Sequence, residues 1–115
     1  MINVYLLKYR IKNKMKIQTI DLISKEWFDK INGNCYFSCE ITLNFGLKDE
    51  IIFEMPFQYG HGNHYEDMSF KAIKEKFNIK TDKCLSIFCR ENNILLRSTK
   101  HENCLKRELY NPKKF

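Results

Sequence analysis

The chain has 115 residues, 43% of them hydrophobic and 30% charged, with a formal net charge of +6. That length bounds it to one domain, and nine Phe, six Tyr and one Trp are enough to build its core. The charged fraction keeps the chain soluble, and with that hydrophobic content a disordered body is not expected. No apolar run approaches the roughly 18 residues needed to cross a bilayer. Val4 to Leu7 is too short for a signal-peptide core, so the expectation is a cytoplasmic protein with no membrane partner.

The positive charge sits at the ends. Residues 1–16 carry Lys8, Arg10, Lys12, Lys14 and Lys16 and no acid. Residues 97–115 carry six bases against Glu102 and Glu108, while 17–96 hold nine bases and twelve acids, a net of −3. Basic ends suit phosphate or an acidic protein surface, with Lys100, Lys106 and Arg107 as candidate basic contacts, or form a solvated tail. The cysteines Cys35, Cys39, Cys84, Cys89 and Cys104 are odd in number and contain no Cys-x-x-Cys pair, which fits reduced, mostly buried thiols.

In chain order, residues 2–11 read as a strand, Lys16–Ile23 as another, and Trp27–Lys30 as a short helical turn before Gly33. From Phe37 the chain alternates: Phe37, Cys39, Ile41, Leu43 and Phe45 point one way, and Ser38, Glu40, Thr42 and Asn44 the other. Gly46-Leu47-Lys48-Asp49 turns the chain. Ile51, Phe53, Met55, Phe57 and Tyr59 then resume the apolar face, with Ile52, Glu54, Pro56 and Gln58 opposite. This is a half-buried antiparallel hairpin, and Pro56, unable to donate to a ladder, places its second strand at a sheet edge.

Tyr65–Phe77 reads as a helix. Asn63 with Glu66 suits an N-cap box, Phe70, Ile73 and Phe77 make a buried stripe, and Asn78 ends it. Leu85–Cys89 and Ile94–Thr99 look like a second hairpin around Glu91-Asn92-Asn93. Residues 111–115 are a frayed tail. The fold class expected is α+β: an antiparallel sheet of about five strands from two hairpins, with one main helix packed on a face. Residues 15–110 form the domain.

The chemistry is mostly excluded. Cys35-x-x-x-Cys39 and His61-x-x-His64 suggest zinc, but residues four apart on a strand are separated by roughly 13 Å, so no metal or other cofactor is expected. Cys35 with His61 or His64 lacks an orienting third group and forms no recognisable catalytic signature, so an enzyme is not expected either. Gly60-His61-Gly62, between strand and helix, either cradles an anion or simply permits positive φ. Trp27, Phe28 and Tyr36 flank Asp29, Asn32 and Asn34, an arrangement suited to single-stranded nucleic acid, a protein hot spot, or a core edge with a braced turn.

The hairpin is symmetrical, ten residues from Tyr36 to Phe45 and ten from Glu50 to Tyr59. An antiparallel pair therefore brings Gly33-Asn34 and Gly60–His64 to one end of the sheet. The candidate binding cluster is Asp29, Asn34, His61, Asn63 and His64, rimmed by Trp27, Tyr36 and Tyr65.

The series Trp27-Phe28-Asp29-Lys30, Gly33-Asn34, Tyr36, Ser38, Pro56-Phe57, Tyr59-Gly60, Gly62 and Tyr65 resembles a family of small uncharacterised bacteriophage and prophage proteins. The resemblance covers about residues 15–75. Cys35 and His61 stand at its variable positions and inherit no role from it. Members begin near a residue matching Met15, which makes 1–14 an N-terminal extension or alternative start. The resemblance implies a phage accessory origin and supplies no established activity. The expected function is thus a phage-type accessory protein that binds and modulates a host protein or nucleoprotein, such as an anti-defence (anti-CRISPR-like) inhibitor. Two alternatives stand beside it: nucleic-acid binding through the sheet and basic ends, and capture of a small anionic ligand or nucleotide at Gly60–Tyr65.

Overall fold

Alternating sequence becomes strand wherever one face can be covered, and three such stretches build most of the sheet. A computed structural model describes residues 16–110. The expected strand at 2–11 and the tail at 111–115 lie outside the described residues. Strands β1 (Thr19–Asp29), β2 (Asn34–Leu43) and β3 (Ile51–Tyr59) form an antiparallel meander. Helix α1 (His64–Phe77) and helix α2 (Leu85–Glu91) follow, then β4 (Leu95–His101) and a 3₁₀ turn at Lys106–Glu108. The strand order is β3-β2-β1-β4, with β4 parallel to β1. After β3 the chain therefore crosses the sheet from one edge to the other, and its two helices cover the face they cross.

The core lies between sheet and helices. Ile20, Leu22, Phe37, Cys39, Ile41 and Leu43 are buried from the sheet side, and Tyr65, Phe70, Ile73 and Phe77 from α1. The Phe70, Ile73 and Phe77 stripe is the expected one, since positions three and four apart share a helix face. Leu85 and Cys89 of α2 join the same cluster.

The α+β class holds, but the sheet is mixed, and four strands stand among the described residues where about five were expected. No second hairpin forms. Leu85–Cys89 is helical, with Leu85 and Cys89 buried one turn apart, a spacing that a short apolar run does not distinguish from a strand. The Asn pair read as a hairpin turn instead closes that helix: Asn92 Nδ2 donates to Phe88 O at 2.8 Å, and Asn93 takes φ 56°.

Trp27–Lys30 is no helical turn, because β1 runs on to Asp29 in full register with β2. The turn comes at residues 30–33. Gly33, at φ 70°, donates its N–H to Asp29 O at 2.7 Å, and Asp29 Oδ1 accepts from the amides of Ile31 and Asn32. Asn63 precedes α1, yet its side chain makes no cap bond, so the N-cap box is not formed. Asn78 ends α1 in the left-handed conformation, as its position implied.

The hairpin end departs from the alternation too. β2 stops at Leu43, and Phe45, expected on the apolar face, is exposed in the turn. Asn44 breaks the strand at φ 57°. Its buried side chain accepts from the amides of Gln18 and Thr19 and donates to Lys16 O, tying the chain just before β1 to the hairpin tip.

Candidate functional site

Both helices pack on one face of the sheet, so the residues of the other face decide what the molecule presents. On β1 and β2 that face follows directly from alternation: Asp21, Ile23, Lys25 and Trp27 lie beside Thr42, Glu40, Ser38 and Tyr36. On β3 it does not. Cys39 pairs with Met55 but Phe37 pairs with Gln58, leaving Pro56 and Phe57 together opposite Ser38. This is a β-bulge, and one extra residue reverses the alternation beyond it. Phe57 and Tyr59, expected beside Met55 on the apolar face, instead join Tyr36 and Trp27 on the open one.

Their rings form a compact row across the strands, in which Trp27 and Phe57 also approach each other to 6.2 Å between centroids. Tyr36 stacks on Phe57 at 4.9 Å between centroids and on Trp27 at 5.5 Å, while Tyr59 meets Tyr36 edge-on at 5.9 Å. Lys106 Nζ lies 5.5 Å over the Trp27 ring. Tyr59 is 63% exposed. The bulge is locked from the C-terminal side. Pro56 has no N–H, the Phe57 N–H donates to Tyr110 O at 2.7 Å, and the Tyr110 N–H donates to Ser38 Oγ at 3.0 Å. β3 is the sheet edge that Pro56 implied.

Beside this row is a cavity of about 270 Å³ lined by Ile23, Lys25, Ser38, Glu40, Glu54, Glu108 and Tyr110. Glu40 and Glu54 are direct cross-strand partners. Glu54 is exposed, but partial desolvation, and then the neighbouring Glu40 charge, push its carboxyl above its ordinary value, with Lys25 opposing. Glu108 is partly committed, its Oε1 accepting the Leu105 amide at 2.6 Å.

The residues marked from sequence fall into separate places. Gly60 N–H donates to Cys35 O at 3.0 Å, so the two glycine corners do share one end of the sheet. The sheet then divides their side chains. Trp27 and Tyr36 belong to the open face. Tyr65 is buried on the helix side, its hydroxyl 2.6 Å from Ser98 Oγ, and burial raises its pKa. The His64 ring stands edge-on to Phe37 at 5.9 Å, and His61, Asn63 and His64 are all exposed. Asp29 is occupied by its own turn. The hydrogen bond from Asn32 Nδ2, 2.7 Å from Oδ2, leads the causes that hold its pKa low, with backbone bonds adding to it against burial. Asn34 opens β2 opposite Asp29.

Among the basic contacts, Lys100 is paired with Glu26 at 3.4 Å and Glu102 at 3.3 Å, and reaches Gly62 O at 3.4 Å. It braces the second corner. Lys106 is engaged with Trp27, and Arg107 is exposed in the 3₁₀ turn. Sequence reading missed Phe57, Tyr59, Glu40, Glu54 and Tyr110. The available signal was Pro56 inside an alternating run, which marks a bulge as readily as an edge.

Cys39 and Cys89 are buried, which pushes each thiol up to about 11. Among the described residues no group of His, Cys, Asp and Glu is arranged to hold a metal ion, and no helix is long and apolar enough to cross a membrane. Compared with known proteins, the chain matches no family model, no curated protein and no solved structure.

Proposed function

We propose that this chain is a non-catalytic binding protein, a phage-type accessory factor that docks and modulates a host macromolecule through the open face of its sheet. The specific form of that reading is an anti-defence inhibitor. One observation carries it: the bulge at Pro56–Phe57 adds Phe57 and Tyr59 to Trp27 and Tyr36 on the face opposite the helices, and burying the exposed parts of these four rings against a partner is favourable. Clustered Trp and Tyr are the side chains around which protein interfaces concentrate their binding energy.

The ring arrangement favours a protein over single-stranded nucleic acid. Base stacking needs ring faces turned outward, whereas Trp27, Tyr36 and Phe57 pack on one another as a three-ring cluster, and Lys106 lies over the Trp27 ring. The carboxylates next to the row repel phosphate. Capture of a small anion at the Gly60 corner gains no support. A Cβ at Gly60 would meet Phe37 Cε1 and His64 Cδ2 at 2.7 Å, so the space at that residue is filled, while that at Gly62 is open.

The test is affinity capture from the native host, paired with growth of phage carrying and lacking the gene on defended hosts. The reading expects a discrete host protein retained by the wild type and lost with Tyr59→Ala, together with impaired growth of the deletion phage. Failure of both would end it. Gel shifts at low salt, with single- and double-stranded DNA and RNA, should show no complex.

A further inference from the structure

Among the described residues that line it, the cavity beside the aromatic row carries more negative than positive charge. Glu40, Glu54 and Glu108 line it against the single ammonium of Lys25. Glu40 directly opposes Glu54 across the strands, a like-charge pairing that weakens a sheet. Glu54 is exposed, and partial desolvation together with the Glu40 charge raises its pKa. An arrangement that costs stability in the isolated chain is relieved by a cation arriving from outside.

Three features define that cation. Small-molecule sites usually occupy about 300–1,000 Å³, and this cavity, at about 270 Å³, stands at the bottom of that range, with room for one inserted side chain. No metal-holding arrangement exists among the described residues. Finally, the cavity and the aromatic row lie along the same strands: Lys25 pairs with Ser38 and Trp27 with Tyr36, two residues further on. Same-face neighbours on a strand are roughly 6.6 Å apart, so an extended partner segment can place a basic residue in the cavity and an apolar one, two positions away, on the row.

Resting on the docking role proposed above, we infer that the open face takes a protein segment carrying an arginine that enters the Glu40–Glu54–Glu108 cavity, with an apolar residue beside it seated against Tyr36 and Tyr59. Arginine fits better than lysine, because its planar fork can span two carboxylates at once.

The test pans a displayed library of random peptides against the immobilised protein and measures affinities of the enriched peptides in solution. Enriched peptides should carry arginine with an apolar residue two positions away. Replacing that arginine by citrulline, or using the Glu40→Gln/Glu54→Gln protein, should weaken binding by roughly tenfold or more. Lys71→Glu, on the exposed side of α1, should leave binding unchanged. Peptides whose binding ignores both the citrulline exchange and the glutamine variant, or a selection that enriches nothing, overturn the inference. If such charge-insensitive peptides are still lost with Tyr59→Ala, the docking face stands and only the arginine assignment falls. If Tyr59→Ala leaves them bound as well, the docking face falls with it.

Discussion

On the helix side of the sheet Ile20, Ile41 and Leu43 are entirely shut from water, whereas on the other side Ile23, Ile52 and Tyr59 stand 38%, 56% and 63% exposed. Both faces come from the same strands and the same alternation. They differ because both described helices lie on one side, and because the bulge at Pro56 adds Phe57 and Tyr59 to the other, where Lys106 and Tyr110 give only partial cover. Large side chains on the covered face therefore hold the fold, and large side chains on the open face are available for a partner.

That contrast breaks most readily at Phe37. It is buried to 2% exposure beneath His64 and Gly60, so Phe37→Ala should cost about 3–5 kcal/mol by chemical denaturation. Tyr59→Ala, on the open face, should cost about 1 kcal/mol or less. Equal losses would mean that the two faces are not different in kind.

A smaller effect is expected at Gly60, whose φ of +153° and crowded Cβ position oppose any side chain. Gly60→Ala should destabilise by about 1–3 kcal/mol, while leaving the remote Asn44 network intact in amide spectra.

Smaller again is the aromatic row. Trp27 is the sole tryptophan, so its fluorescence reports the stack. Tyr36→Ala should expose the indole and shift its emission to longer wavelength, with a stability loss that includes about 0.5–1.5 kcal/mol for ring stacking. An unshifted emission would show that the row is not held together as described.

The smallest effect is electrostatic. A carboxyl whose folded pKa is raised binds its proton more tightly when folded, so its ionisation opposes folding at neutral pH and stability rises as pH falls through the raised value. Asp29 acts in reverse. Its depressed pKa gives stability that is present above the ordinary Asp value and lost as pH falls through the folded one. Stability should therefore rise modestly on mild acidification, in the window just above the ordinary Glu value, and fall at lower pH. Glu54→Gln should remove the rise and add a few tenths of a kcal/mol at neutral pH.

How much of this was legible depends on how local the physics is. The first hairpin, the Phe70–Ile73–Phe77 stripe and the Asn78 cap follow from periodicity and backbone preference within a few residues. The meeting of the two glycine corners follows from counting. The Leu85–Cys89 helix was misread because a five-residue apolar run satisfies both periods, and tertiary burial of Leu85 and Cys89 decides between them. The parallel β4 was out of reach, since its pairing with β1 joins segments far apart in sequence. The bulge is the instructive case. Nothing but Pro56 announces it locally, and it is secured by Tyr110 from the far end of the described chain. Missing it misplaced Phe57 and Tyr59, and with them half of the candidate surface.

The docking role of the open face is tested most directly by comparing two single variants in quantitative capture of host protein, each first checked for native stability: Tyr59→Ala on the aromatic row and Lys71→Glu on the exposed side of α1. The expected result is loss of the captured partner with Tyr59→Ala and full retention with Lys71→Glu. Retention with Tyr59→Ala, or loss with Lys71→Glu alone, would place the partner on the helices and contradict the assignment.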